Sequence, residues 1–363
     1  MEKIIQHYSI LMIALLGFSS SIFYGQQKDD NQWIRPSNNF DEAVWGIEEG
    51  IVIGLWPSPI EIGKNATGGP RGLFRMGYHA GGKVHHINYI AVEPVVDGEM
   101  EFSEISPSLV DEKWGKLMWA SEDKIPGSFF PAARTRGKIS NPDPDNPEVE
   151  ELSFYVFMEK FKNGAHPYFR VSIRSDKPEE VGFEIFHQKD SAEMERCVLT
   201  ATMGNYARAR NLYLKDEIIN SNELYSGYAD IDFIEKEEYE KDRIFKNHKG
   251  EYIALIENDE SFSELSDWPQ KDKYFRNQNW RYRPFFKVVQ YWKKDSQEAD
   301  NSLRIRVNGR ATYWAGGSSD EANYIAIPRG PAFENFELRE DYKEGQQFYF
   351  GISRKNVEEL IAR

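Results

Sequence analysis

The chain has 363 residues, with 59 acidic against 45 basic side chains and a net charge of −14. That balance argues against nucleic acid and against anionic membrane surfaces as partners, because both repel an acidic protein. Cys197 is the only cysteine, so no intrachain disulfide can form and the fold must be held by its core or by bound ions.

The first element in chain order is a leader. Lys3 gives a short positive start, residues 10–23 are apolar with small residues mixed in, and QQKDD then turns abruptly polar. This is the layout of a secretory signal peptide, and it is too short and too broken by Ser and Gly for a membrane span. Residues 1–26 are therefore expected to be cleaved, with the cut between Gly25 and Gln27. Residues 27–363 are expected to form one exported domain, periplasmic or secreted, without membrane insertion or a lipid anchor.

Period-2 apolar patterning with Gly, Pro and Asn breaks dominates the rest. It predicts strands at 50–55, 72–78, 85–92, 116–119, 153–161, 168–174, 181–187, 198–203, 286–292, 303–307, 323–327 and 347–352. Turns are predicted at Gly81–Gly82, 141–147, Asn163–Gly164 and Asn308–Gly309. Strands at this spacing predict an all-β fold, a sandwich or jelly roll of antiparallel strands. Residues 216–283 are charged and longer in period, which predicts a partly helical insertion on that domain. SRKNVEELIAR predicts a C-terminal helix capped by Ser353. Cys197, in the apolar RCVLTAT, reads as an inert buried thiol.

Four stretches could carry chemistry. Residues 69–94, GPRGLFRMGYHAGGKVHHINYIAVEP, hold His79, His85 and His86 with Arg71, Arg75 and Lys83. Strict alternation places His86 with Asn88 on one face and His85 with Tyr89 on the other. His85 and His86 then cannot share a metal without a bulge, and no HExxH or paired CxxC pattern is present. Arg71 and Arg75 share a face and are suited to a carboxylate, which Arg binds bidentately. Pairing with acidic neighbours is the structural alternative.

The second stretch is CVLTATMGNYARARNLYLKD. Alternation puts Tyr206, Arg208 and Arg210 on one face after Gly204–Asn205. Cations favour phenolate, so Tyr206 is a proton-carrier candidate. In FEIFHQKDS, His187 ends a strand in phase with Val181, Phe183 and Ile185. In RATYWAGG, Tyr313 and Trp314 lead into a Gly loop and suit stacking on a sugar. No GxSxG elbow, P-loop, dinucleotide fingerprint or catalytic-cysteine motif occurs.

Tyr, His and clustered Arg without a selectable carboxylate pair suit β-elimination on a uronic acid. A base removes the C5 proton, Arg or Asn neutralises the adjacent carboxylate, and an acid protonates the group leaving C4. The catalytic candidates are His86 and Tyr206, with His187 third. Arg71, Arg75, Asn88, Asn205, Arg208, Arg210, Tyr313 and Trp314 are the substrate-binding candidates. The expected partner is an acidic oligosaccharide. No cofactor is expected, calcium or zinc binding stays open, and nothing bears on oligomeric state.

The leader's end SIFYGQ and the segments GPRGLFRMGY, ATMGNYARARNLYLKD and IAIPRGPAFENFEL carry a resemblance. They are similar to the secreted β-sandwich oligosaccharide dehydratase of ulvan breakdown in marine Bacteroidetes. The resemblance implies dehydration of the non-reducing-end uronate to an unsaturated one. A polysaccharide lyase, a glycoside hydrolase and a non-catalytic carbohydrate-binding sandwich are the alternative readings.

Overall fold

Phe74 and Met76 alternate with Leu73, Arg75 and Gly77, and this alternation assigns the faces of the first sheet. The computed structural model describes residues 32–38, 43–55, 71–125, 132–133, 135–202, 208–258, 280–281, 287–314 and 324–362. The chain divides into Met1–Asn31 and Gln32–Arg363, and all described residues belong to the second unit.

The first sheet runs, in order, Trp33–Ile34, Val44–Ile47, Ile51–Gly54, Leu73–Ala80, Lys83–Val96, Arg196–Thr202, Ala332–Arg339, Arg304–Arg310 and Glu237–Glu240, all antiparallel. The second runs Ala209–Tyr213, Tyr252–Asn258, Val289–Lys294, Gln346–Ser353, Glu180–His187, Pro167–Arg174, Glu151–Met158 and Met118–Ser121, again antiparallel. Ala209 opposite Phe333 joins the two at one corner.

Side chains from both sheets meet between them. Trp45 stacks on Phe154 at 4.2 Å between ring centroids. Phe74 stands edge-on to Phe169 at 5.6 Å and to Phe183 at 5.2 Å. The Trp292 indole N–H crosses to donate to the Phe336 carbonyl at 3.0 Å. The protein is therefore an all-β sandwich. Ring pairs of this kind add about 0.5–1.5 kcal/mol each beyond the area they bury.

The Gly81–Gly82 turn joins Leu73–Ala80 to Lys83–Val96. Its φ values of 57° and 71° are those of a two-residue hairpin turn whose twist matches the strands. Asn308–Gly309 is not a turn. It lies inside Arg304–Arg310, where the pairing with Ala332–Arg339 shifts by one residue. Gly309 is required there, because a Cβ would come within 2.4 Å of the Tyr225 ring.

The described part of residues 216–283 supplies strands to both sheets, Glu237–Glu240 to the first and Tyr252–Asn258 to the second. Tyr252–Asn258 is an interior strand of the second sheet, and helix in the described part is limited to Ser221–Leu224 and the 3-10 turn Lys241–Arg243. The C-terminal helix is Val357–Ile361. Asn356, not Ser353, caps it, with Glu359 completing a capping box. Its Val357 and Leu360 pack on Ile253, Leu255, Val289 and Tyr291. Cys197 is buried, and burial pushes its thiol up.

Candidate functional site

The outer face of the first sheet carries buried polar side chains where a solvated sheet face would carry exposed ones. The strand Lys83–Val96 makes this face by breaking its own alternation. Met76 pairs with Asn88, but the next residue, Gly77, pairs with His86, so Ile87 is the extra residue of a β-bulge. Beyond the bulge the pattern inverts. His86 therefore joins Tyr89 on the outer face, with ring centroids 4.5 Å apart.

Asn88 is consequently not on the His86 face, contrary to the strict-alternation reading. It points between the sheets, fully buried, and its amide donates to Gln290 Oε1 on the second sheet.

Arg75 does lie on the His86 face. It pairs across the strands with Tyr89 and with Gly54. Gly54 and Gly77 leave a bare patch of sheet over which the Trp280 indole lies. A Cβ at either would come within 3.1 Å or 3.0 Å of that ring. Trp280 is positioned by parallel pairing of Trp280–Arg281 with Val84–His85. The Arg75 guanidinium sits 5.1 Å from the Trp280 ring and donates to the Leu55 carbonyl. His86 is 6.0 Å from the same indole.

His86 has 0% exposure. Burial, and secondarily the Arg75 charge, hold its imidazole well below its ordinary value, so it is neutral near pH 7. A neutral ring can accept a proton, which an imidazolium cannot.

Across the next strand, Thr202 pairs with Tyr89 and with Asn335. The Thr202 hydroxyl lies 3.4 Å from Glu334 Oε1, and Arg310 Nη1 lies 3.8 Å from the same oxygen. One row of the face thus presents Arg75, Tyr89, Thr202 and Glu334, with His86 and Trp280 beside it.

Further along the same face lies a charge cluster. Arg306 contacts Glu93 at 2.9 Å and also pairs with Glu337, which accepts from the Thr200 hydroxyl. Lys236 is 3.8 Å from Glu93. Burial, then the neighbouring Glu337 charge, pushes Glu93 up to about 8. Burial pushes Glu104 up to about 7.

The remaining candidates sit as follows. Arg71 is held by Asp111 in a two-point ion pair at 2.9 and 3.0 Å. Burial works against the Asp111 charge, but the Arg71 bonds outweigh it and keep the carboxyl below its usual range. Arg71 is thus a structural ion-pair partner, placed just before the strand that carries Arg75. Arg208 is buried. Arg210 is buried and donates to the carbonyls of Pro328, Gly330 and Pro331 and to Asn222 Oδ1, so it holds the turn before Ala332–Arg339.

His187 stands on the second sheet, half-exposed, with Nδ1 3.0 Å from the Tyr342 hydroxyl and 2.6 Å from Glu344. It does not join the His86 face. Asn205 and Tyr206 lie outside the described residues. The strand Thr312–Trp314 pairs with Tyr324–Ala326 in a separate ribbon, while the Tyr313 and Trp314 side chains lie outside the described residues. Among the described residues, no group of three His, Cys, Asp or Glu side chains is placed to hold a metal ion.

Sequence reasoning missed Tyr89, Thr202, Trp280 and Arg310, and it gave Glu334 no role. The one signal for Tyr89 was its spacing of three from His86, which only a bulge brings to one face. No family model, curated protein or solved structure matches the chain.

Proposed function

We propose that the outer face of the first sheet performs β-elimination on the terminal uronate of an acidic oligosaccharide, releasing water. The observation that carries this reading is a neutral imidazole, His86, beside a cross-strand pair of a guanidinium, Arg75, and a phenol, Tyr89, on one face. The likeness of GPRGLFRMGY and IAIPRGPAFENFEL to the oligosaccharide dehydratase of ulvan breakdown supports the same chemistry.

In this mechanism Arg75 offsets the uronate carboxylate, which makes the C5 proton more acidic and stabilises the enolate-like charge that develops. His86 takes that proton. The C5–H electron pair forms the C4–C5 double bond as the C4–O bond breaks. Tyr89 donates a proton to the departing hydroxide, so water leaves. If C4 carried a sugar instead, the same steps would make a lyase. His86 is covered in the free chain, so substrate entry has to uncover it.

Mass spectrometry of a uronate-terminated ulvan oligosaccharide tests the proposal. Loss of one water from the intact oligosaccharide, abolished in His86→Gln, is the expected result. Two saturated products would mean hydrolysis, and no change would leave a binding face without catalysis. Either of these would overturn the reading.

A further inference from the structure

The outer face of the second sheet carries a trough that the proposed reaction does not use. Its floor is a row of small residues crossing three strands: Ser153 opposite Ser172, and Ser172 opposite Gly182. The row ends at Tyr349, which pairs with Gly182. Gly182 has to be small, since a Cβ there would lie 2.8 Å from Ser172 Oγ and 3.2 Å from the Tyr349 ring.

The neighbouring rows make the walls. Arg170, Glu184 and Gln347 pair along one side. Glu151 and Arg174 pair along the other, with Glu180 beyond them. The depression encloses about 410 Å³. It shares Lys177 and Glu180 with a second hollow of about 430 Å³ at the end of the sandwich, lined also by Tyr78, His248 and Tyr291. The two hollows adjoin at Lys177 and Glu180, and the first is a trench across the strands.

We propose that this trench is a non-catalytic binding site for a linear, uncharged oligosaccharide. Three features select that ligand. First, the trench crosses the strands, whose spacing of about 4.8 Å is close to the repeat of one pyranose unit. A chain of sugars would place one ring per strand.

Second, the trench offers acceptors and donors in balance. Glu151, Glu180 and Glu184 stand against Arg170, Arg174 and Lys177. Several are already paired, as Arg170 is with Glu151 across the floor and Arg174 with Asp176. Hydroxyl groups both donate and accept, so they can join such paired networks without stranding a charge. A polyanion gains no net attraction here, on a chain whose total charge is −14.

Third, the floor strands are hydrogen-bonded on both edges. Pro167–Arg174 lies between Glu151–Met158 and Glu180–His187, and Glu180–His187 lies between Pro167–Arg174 and Gln346–Ser353. No open strand edge is available there for a peptide to extend the sheet. Recognition has to be by side chains, with the Tyr349 ring as the stacking surface.

The test is calorimetric titration of the full chain with cellohexaose and xylohexaose, against a heparin hexasaccharide as the polyanionic control. At least one neutral hexasaccharide is expected to bind. Tyr349→Ala and Gln347→Ala are each expected to weaken that binding tenfold or more while keeping the wild-type melting temperature. If Tyr349→Ala fails to fold, Gln347→Ala alone decides. Retained binding in His86→Ala is expected and keeps this result separate from the proposed catalytic face. Failure of both neutral probes to bind, binding that survives both trench variants, or tighter binding of the heparin fragment would overturn the proposal.

Discussion

Arg306→Met tests the charge cluster on the outer face of the first sheet. Methionine retains part of the apolar stem and removes the guanidinium. Among the described residues, Glu93 and Glu337, each 1% exposed, would then keep Lys236, 3.8 Å from Glu93, as a neighbouring cation. Removing one partner of a buried ion pair costs about 3–5 kcal/mol. The variant can reduce that cost by taking up one further proton on the carboxyl pair. Holding a buried carboxyl as the acid costs about 1.4 kcal/mol per pH unit above its ordinary value. Glu93 already keeps its proton up to about pH 8, so only one additional uptake is involved. Between pH 5.5 and pH 8 that uptake becomes costlier by about 3.4 kcal/mol. Urea unfolding should therefore show a loss of about 1–2 kcal/mol at pH 5.5 and about 4–5 kcal/mol at pH 8. An equal loss at both values, or one under about 1 kcal/mol at pH 8, would refute the account.

Wild-type stability should fall as pH rises from about 5 toward 8. Glu93 and Glu104 bind their protons more tightly folded than unfolded, so their contribution is full below the ordinary carboxyl value and is lost through about 8 and about 7. Glu93→Gln should flatten that slope, and a wild-type curve rising over the window would contradict it. His86→Gln should lower turnover of a uronate-terminated oligosaccharide by about 10²–10⁴-fold without moving the melting temperature. Because His86 is held well below 6.5, the wild-type rate should not decline between pH 7 and pH 6 through protonation of this ring. Cys197 should react with Ellman's reagent only after unfolding, since burial suppresses its thiolate; labelling of the folded chain would place it nearer the surface.

The strands with clean alternation were legible in the sequence, and each of the twelve predicted positions overlaps an observed strand. Those that escaped did so for identifiable reasons. In Ala332–Arg339, Phe333 and Phe336 are both in the core although three residues apart, because Glu334 and Asn335 together oppose the single Asn308, a bulge in this strand itself. A spacing of three reads as helix or turn, not strand. Tyr252–Asn258 lacks alternation because both of its faces are covered. Ala254 and Ile256 enter the inter-sheet core, while Ile253 and Leu255 meet the C-terminal helix. Set among charged residues, this continuous apolar run did not read as half-buried strand.

The site was legible in part. His86 and Arg75 were found as a neighbouring imidazole and cation. Asn88 was misplaced by the Ile87 bulge, and Arg71 proved to be the ion-pair partner of Asp111. Trp280 reaches the face through a two-residue parallel pairing, which leaves no periodic mark in the sequence.

The extra residue at Ile87 makes the composition of this face a matter of counting as much as of chemistry. The strand is two pleated segments joined half a period out of step. Deleting His85 would bring them back into step with Ile87 opposite Gly77 and His86 opposite Tyr78. The imidazole would then project into the interior beside Tyr78, although His86 itself is unchanged, whereas deleting Ile87 would keep it opposite Gly77 on the outer face. Lengthening it by one would oppose two unpaired residues to Met76–Gly77. For this face, then, a change in length is a more drastic perturbation than most exchanges of one residue for another. A search for related chains should weigh the number of residues from Gly82 to Asn88 alongside their identities.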